Sequence, residues 1–321
     1  NSDGVESFMP NGFGGVLAAV SGVFFAYIGF DAVSVLAEES KNPQRDLPKG
    51  MIYSLVICTV VYILLTLVLT GTVHYSKFEN VGDPLAFIFE KENLDIGWMQ
   101  FAVAICAVIA MTSVLLVFQM GQPRIWMSIS RDGLLPSIFQ KIHPKYQTPS
   151  FATILTGFVV GIPILFTDKT FVLDFTSIAT LFAFVLVCGG VLFLPRREKV
   201  EGKFHLPYIN GKFTFPLIIL GIMALLKVFS PNYFSNLLIQ EGENVNLTLN
   251  ILTILFWSIC LIIAVFAFLK NWSLIPLLGL VSCLYLLTGM TALNWAWFGG
   301  WLALGLVIYF SYGYRKSKLA N

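Results

Sequence analysis

The chain is 321 residues long, 57% of them hydrophobic and 12% charged, with a formal net charge of +2. Soluble domains carry about 25% charged residues, so a soluble globular protein is excluded, and a net charge this small gives no basis for nucleic-acid binding. The apolar residues form long continuous runs and not short alternating ones, which excludes a membrane β-barrel and indicates membrane-spanning helices.

The first apolar segment runs from about Phe13 to Leu36, long enough to cross a bilayer. At its middle it reads Phe24-Phe25-Ala26-Tyr27-Ile28-Gly29-Phe30-Asp31. An isolated aspartate at that depth costs about 2.5–3.5 kcal/mol on insertion scales, which marks Asp31 as a functional candidate. Gly29, two residues earlier, is where a helix is interrupted at little cost. The stretch reads as a broken helix: a first half ending near Phe25, a few unwound residues, and a second half starting at Asp31. Backbone freed at membrane depth is tolerated where it lines a cavity or is buried in protein. In transporters, such half-helix ends form the substrate site. The competing reading is an unbroken helix with Asp31 facing a neighbouring helix.

Further spans follow at about 51–73, 98–121, 150–167, 171–194, 215–230, 248–269, 273–291 and 295–313. Only Thr167-Asp168-Lys169-Thr170 separates the fourth span from the fifth, which predicts a tight turn. The span at 215–230 carries Lys227 near its end, placed to snorkel. Between 122 and 149, Trp126, Met127, Ile129, Leu134, Leu135, Ile138 and Phe139 recur at near-helical spacing, interrupted by Gly133 and Pro136. This predicts one or two short amphipathic helices at the inner membrane surface, or a helical hairpin packed on the bundle.

Basic residues crowd the loops after the first, third, fifth and seventh spans and the C-terminal tail, Lys41, Arg45, Arg124, Arg131, Arg196, Arg197, Lys270 and Arg315 among them. By the positive-inside rule these loops are cytoplasmic, which puts the first residue outside and the last inside. The polar start, Asn1 to Asn11, reads as the tail of an external loop, and the expectation is a C-terminal part of a longer protein. Cys58, Cys106, Cys188, Cys260 and Cys283 lie far apart within apolar runs, show neither metal-ligand spacing nor a disulfide framework, and read as small core residues. No metal and no cofactor is expected.

The stretch from Phe24 to Gly50 continues as Ala32-Val33-Ser34-Val35-Leu36-Ala37-Glu38-Glu39-Ser40-Lys41-Asn42-Pro43-Gln44-Arg45-Asp46-Leu47-Pro48-Lys49-Gly50. It closely resembles the sixth transmembrane helix and following loop of amino-acid permeases in the amino acid–polyamine–organocation superfamily, and looks like the cationic amino acid transporter-like branch. Gly121-Gln122-Pro123-Arg124-Ile125, Met127 and Ser130-Arg131-Asp132-Gly133-Leu134-Leu135-Pro136 resemble the segment after the family's eighth helix, and Lys145, Thr148 and Pro149 continue the match. Near the end, Trp301-Leu302, Gly305, Ile308-Tyr309-Phe310 and Tyr312-Gly313 are similar to that branch's last helix.

The resemblance implies an all-α polytopic membrane protein. Its fold would be the second half of a leucine-transporter-type fold of two inverted five-helix repeats, plus four C-terminal transmembrane helices. Residues 1–12 would end an extracellular loop, 13–194 would form the second repeat with its first helix broken near 26–30, and 195–321 would hold the four further helices and a cytoplasmic tail. The first five helices would be a missing partner. The spans within 215–269 look like the extra pair of fourteen-helix members.

The resemblance also carries roles over by position. Backbone carbonyls at Phe25, Ala26 and Ile28 would accept from a substrate α-ammonium, with Phe25 as an aromatic gate and Tyr27 and Gly29 completing the binding stretch. An ammonium needs acceptors, and freed carbonyls supply them without a full charge in the membrane. Asp31 would cap the second half-helix, or take part in proton-linked rearrangement. Thr112 and Ser113 match a position that lines an ion site in sodium-coupled relatives, although mid-helix hydroxyls more often bond their own backbone. Glu38 and Glu39 would form an inner gate with Arg45 or Arg124, or simply a solvated helix end.

The expected function is secondary active amino-acid transport across the plasma membrane, proton-coupled, with a neutral or cationic amino acid as substrate. A polyamine or amine exchanger of the same superfamily is the alternative. A membrane enzyme needs paired catalytic groups, yet Asp31 stands alone at depth and Asp174 is the other acidic candidate within a span. A channel needs a filter repeated by symmetry, and the chain shows no such repeat.

Overall fold

A bilayer offers an unpaired amide no solvent partner, so a chain this apolar satisfies its backbone within helices. The computed structural model describes residues 12–78, 81–194, 204, 207–229, 233–234 and 247–317. Its main elements are α1 (Gly12–Tyr27), a 3-10 helix (Phe30–Glu39), α2 (Pro43–Thr72), α3 (Gly97–Arg131), α4 (Ser150–Ile164), α5 (Lys169–Phe193), α6 (Gly211–Phe229), α7 (Leu247–Lys270), α8 (Leu274–Thr288) and α9 (Ala292–Ile308). Among the described residues, six helices are long and apolar enough to cross a membrane, while α4 and α8 are shorter apolar helices. The protein is an all-α polytopic membrane protein. The loop end expected at 1–12 lies outside the described residues except for Gly12, and so do the side chains of Glu38 and Glu39.

The chain divides into two packed units, and it passes from one to the other at Ile28–Gly29. One unit comprises Asn1–Ile28 and Phe166–Val307. Here α5 packs most extensively on α8, α6 on α7, and α1 on α5 and α8. Ile178, Leu181, Leu286, Leu287, Met290 and Phe298 form one buried cluster, with Phe24 of α1 packed against it. Phe215, Ile219, Phe256, Cys260, Ile263 and Leu277 belong to a second cluster. The turn between α7 and α8 is tied to the start of α6: the Gly211 amide donates to the Trp272 carbonyl at 2.8 Å, and the Leu274 amide to the Ile209 carbonyl at 2.8 Å.

The other unit comprises Gly29–Leu165 and Ile308–Asn321. The 3-10 helix packs on α2 and α3, and α3 packs on α4. None of the residues of α2 is buried. Its apolar side chains face outward, and its hydroxyls turn back to their own helix: Thr59 donates to the Leu55 carbonyl at 2.7 Å and Thr70 to the Thr66 carbonyl at 2.7 Å. A helix whose apolar groups are exposed and whose polar groups are internally satisfied suits a hydrocarbon solvent.

The segment after Gly121 departs from the expectation of separate surface helices. Residues 122–131 continue α3, with Pro123 inside the helix. An interior proline costs about 3 kcal/mol by removing a donor and crowding the preceding turn. Burial offsets that cost, because Gly121, Pro123, Met127 and Ser130 are all buried. Trp126 meets Phe139 at 5.5 Å between ring centroids, and Phe139 meets Phe151 of α4 at 5.2 Å. The stretch is therefore packed on its unit as the end of α3, followed by a short 3-10 helix at Ser137–Gln140, and not as separate helices. The helix then stops at Gly133, whose φ is +84°. The Gly133 amide donates to the Ser130 carbonyl and the Leu134 amide to the Ile129 carbonyl, a pair of bonds that closes a helix C-terminus around a left-handed glycine. Buried Ser130 ties the following loop down, its hydroxyl donating to the Pro136 carbonyl at 2.7 Å.

Candidate functional site

α1 ends at Tyr27, and a 3-10 helix starts at Phe30. Between them Gly29 has φ +123°, a conformation that L side chains rarely adopt. The Ile28 amide donates to the Phe25 carbonyl at 3.1 Å, and the Ala32 amide to the Gly29 carbonyl at 3.1 Å, so the chain turns by tighter i to i+3 bonds on each side of the interruption. A helix end leaves its last carbonyls without intrahelical donors. A carbonyl has two lone pairs, so Phe25, with one bond made, can accept a second.

Asp31 sits at the second position of the 3-10 helix, and its carboxylate turns back across the interruption. Oδ1 accepts from the Gly29 amide at 3.2 Å, while the Ser34 hydroxyl donates to the Asp31 carbonyl at 2.6 Å. The aspartate thus holds the unwound glycine in place. Thr112 lies on an exposed part of α3, and its hydroxyl donates to the Val108 carbonyl at 2.8 Å; Ser113 is exposed beside it.

In the unit that holds α1, Phe25 and Gly22 share a cavity of about 180 Å³ with Leu173, Asp174 and Ser177 of α5, Met290, and Asn294 of α9. The cavity brings Asp174 to Phe25 across almost 150 residues of chain. Thr291 caps α9, its hydroxyl accepting from the Asn294 amide at 3.3 Å. The Asn294 side chain, only 5% exposed, donates to Asp174 Oδ2 at 2.9 Å. Asn294 and Thr291 were not among the residues singled out in the sequence. Their only sign there is a polar pair opening a helix rich in tryptophan.

A family described as "Amino acid permease" matches residues 1–257, and one described as "C-terminus of AA_permease" matches residues 274–317. The chain is 32% identical to the branched-chain amino acid permease BcaP of Bacillus subtilis over 98% of its own length and 54% of that protein's. It is 38% identical to the methylthioribose transporter of the same organism, over 68% of this chain and 47% of that one. It is 40% identical to the vacuolar cationic amino acid transporter 4 of Arabidopsis thaliana, over 59% of this chain and 31% of that one. The chain thus spans about half the length, or less, of these relatives. No solved structure matches it. An apolar helical architecture, an interrupted first helix at a positive-φ glycine and a family match over most of the sequence agree: the chain belongs to the amino acid permease family of the amino acid–polyamine–organocation superfamily.

Proposed function

We propose that this chain forms part of a secondary active transporter that carries neutral or cationic amino acids by alternating access, driven by protons. The interruption at Ile28–Gly29 carries the reading, because the helix ends there and a carbonyl such as that of Phe25, with one bond made, keeps a lone pair for a further donor. Carbonyls of Phe25, Ala26 and Ile28 accept from the substrate α-ammonium, Tyr27 and Gly29 complete the binding stretch, and the Phe25 ring gates it. Asp31 pins the stretch and stands close enough to couple its geometry to protonation. The family membership and the names of the relatives support an amino-acid substrate.

The substrate carboxylate is held by helices equivalent to the first five of the relatives, which act as this chain's partner in completing the site. The protein lies in the plasma membrane with the basic loops and C-terminus in the cytoplasm and residue 1 outside, as the charge bias supports. Thr112 and Ser113 remain the positions for a sodium ion, and proton drive leaves them without that task.

Reconstituting the full-length protein in proteoliposomes tests the reading. Expected is saturable, competable uptake of labelled amino acids that follows an imposed pH gradient and survives replacement of sodium by choline. An ohmic current without saturation would replace the transporter with a channel. Uptake lost in choline would return Thr112 and Ser113 to an ion site.

A further inference from the structure

The cavity beside Phe25 holds a carboxylate that the transport reading does not use. Asp174 is the sixth residue of α5, roughly 7–8 Å along the helix from its start at 1.5 Å per residue. Among the described residues, its hydrogen-bond partner is Asn294, through Oδ2. An amide neutralises no charge. The N-terminus of α9, where Asn294 sits, contributes roughly half a positive charge. A net negative charge is left facing a cavity whose other walls include Phe25, Leu173 and Met290. Asn294 is buried while Asp174 is exposed, so an accessible carboxylate is held by a fixed donor.

We propose that this cavity is a cation subsite, in which Asp174 receives an alkylammonium or guanidinium group and Asn294 positions the carboxylate. The volume decides what enters. At about 180 Å³ the space equals roughly six waters at about 30 Å³ each. It is smaller than the 300 Å³ or so at which whole drug-sized ligands are accommodated. A charged head and its methylene stem fit. Gly22 opens onto the same space, and a Cβ built on it meets nothing within 4 Å. The proposal rests on the transport reading only in placing the rest of a basic amino acid beside Phe25. A free diamine would present the same chemistry.

The test measures binding and uptake separately, on the full-length protein. Binding is read as the shift in unfolding midpoint caused by arginine, lysine, 1,4-diaminobutane or leucine. Uptake selectivity is read as the inhibition constant of arginine divided by the KM of leucine. The cations raise the midpoint of the wild type. Asp174→Asn abolishes that shift and raises the ratio at least tenfold, and Asp174→Glu restores most of it. Gly22→Val, whose Cβ meets nothing within 4 Å and whose branches take up cavity space, raises the ratio as Asp174→Asn does. A shift by the diamine alone, lost in Asp174→Asn, keeps the subsite and assigns it to free amines. A shift lost in Asp174→Asn in a protein that shows no uptake keeps the subsite and removes the transport reading. Uptake with the ratio unchanged in Asp174→Asn removes the subsite and leaves transport standing. A midpoint lowered equally with and without every ligand would make Asp174 purely structural and overturn the proposal.

Discussion

Gly29→Ala separates the backbone demand of the interruption from side-chain volume. The new Cβ would find its nearest neighbour, Phe118 Cζ, at 3.9 Å, an ordinary van der Waals contact. Space is therefore not the obstacle; the φ of +123° is. Holding a non-glycine residue in such a region costs about 1–3 kcal/mol. Alanine also favours continuous helix over glycine by about 1 kcal/mol. Together these shift the balance between interrupted and continuous forms by about 2–4 kcal/mol, on the order of 30- to 700-fold. Amide hydrogen exchange at residues 25–32 should slow as the helix closes, and the maximal uptake rate of the full-length protein should fall at least tenfold. Gly157→Ala in α4 is the control: it makes the same chemical change inside a regular helix, where the added Cβ meets nothing within 4 Å. If the two variants exchange and transport alike, the interruption does not depend on Gly29. Gly29→Leu adds volume against Phe118 to the same strain and should abolish uptake while insertion into the membrane persists.

Two further outcomes follow from local bonds. Asp31→Ala removes the acceptor of the Gly29 amide and should lower stability by about 0.5–1.5 kcal/mol, read as the unfolding midpoint, whereas Asp31→Asn keeps an acceptor and should hold it. A normal midpoint in Asp31→Asn together with a lost response to the pH gradient would assign the carboxylate to coupling; an intact response would leave it as a local tie to the Gly29 amide, not the cap of the second half-helix. Gly133→Ala forces a φ of +84° on a residue with a Cβ and should cost about 1–2 kcal/mol without altering KM, and an unchanged midpoint would refute the role of Gly133 as the helix stop.

The chain's own chemistry made some of this legible. Long apolar runs dictate helices once water is removed as a partner, so the existence of the spans follows from composition. Gly29 is legible because a backbone interruption needs a residue without a Cβ, and glycine beside an aspartate within an apolar span is a rare conjunction. The course of α3 through Pro123 was not legible, because local preference argues for a stop there. The opposing contribution, burial of Met127 and Ser130 and the Trp126–Phe139–Phe151 ring contacts, comes from residues across a loop. Nor does the sequence show that the second half of the broken segment is wound as a 3-10 helix, since nothing in its composition separates that winding from an α-helix.

The two carboxylates within spans show where the limit falls. With only 12% of residues charged, each ionisable group placed in an apolar segment must be answered by a donor, a cation or a cavity. Asp31 is answered two residues away, by the amide of the glycine whose conformation it holds, so its role can be read along the chain. Asp174 is answered 120 residues away, by Asn294, and only the packing of α5 with the start of α9 makes the pair. Sequence distance, and not chemical subtlety, divides the legible aspartate from the illegible one. The same packing that hides Asp174 from the sequence sets it in one cavity with Phe25, which is why a residue without any motif of its own carries the testable statement about charge.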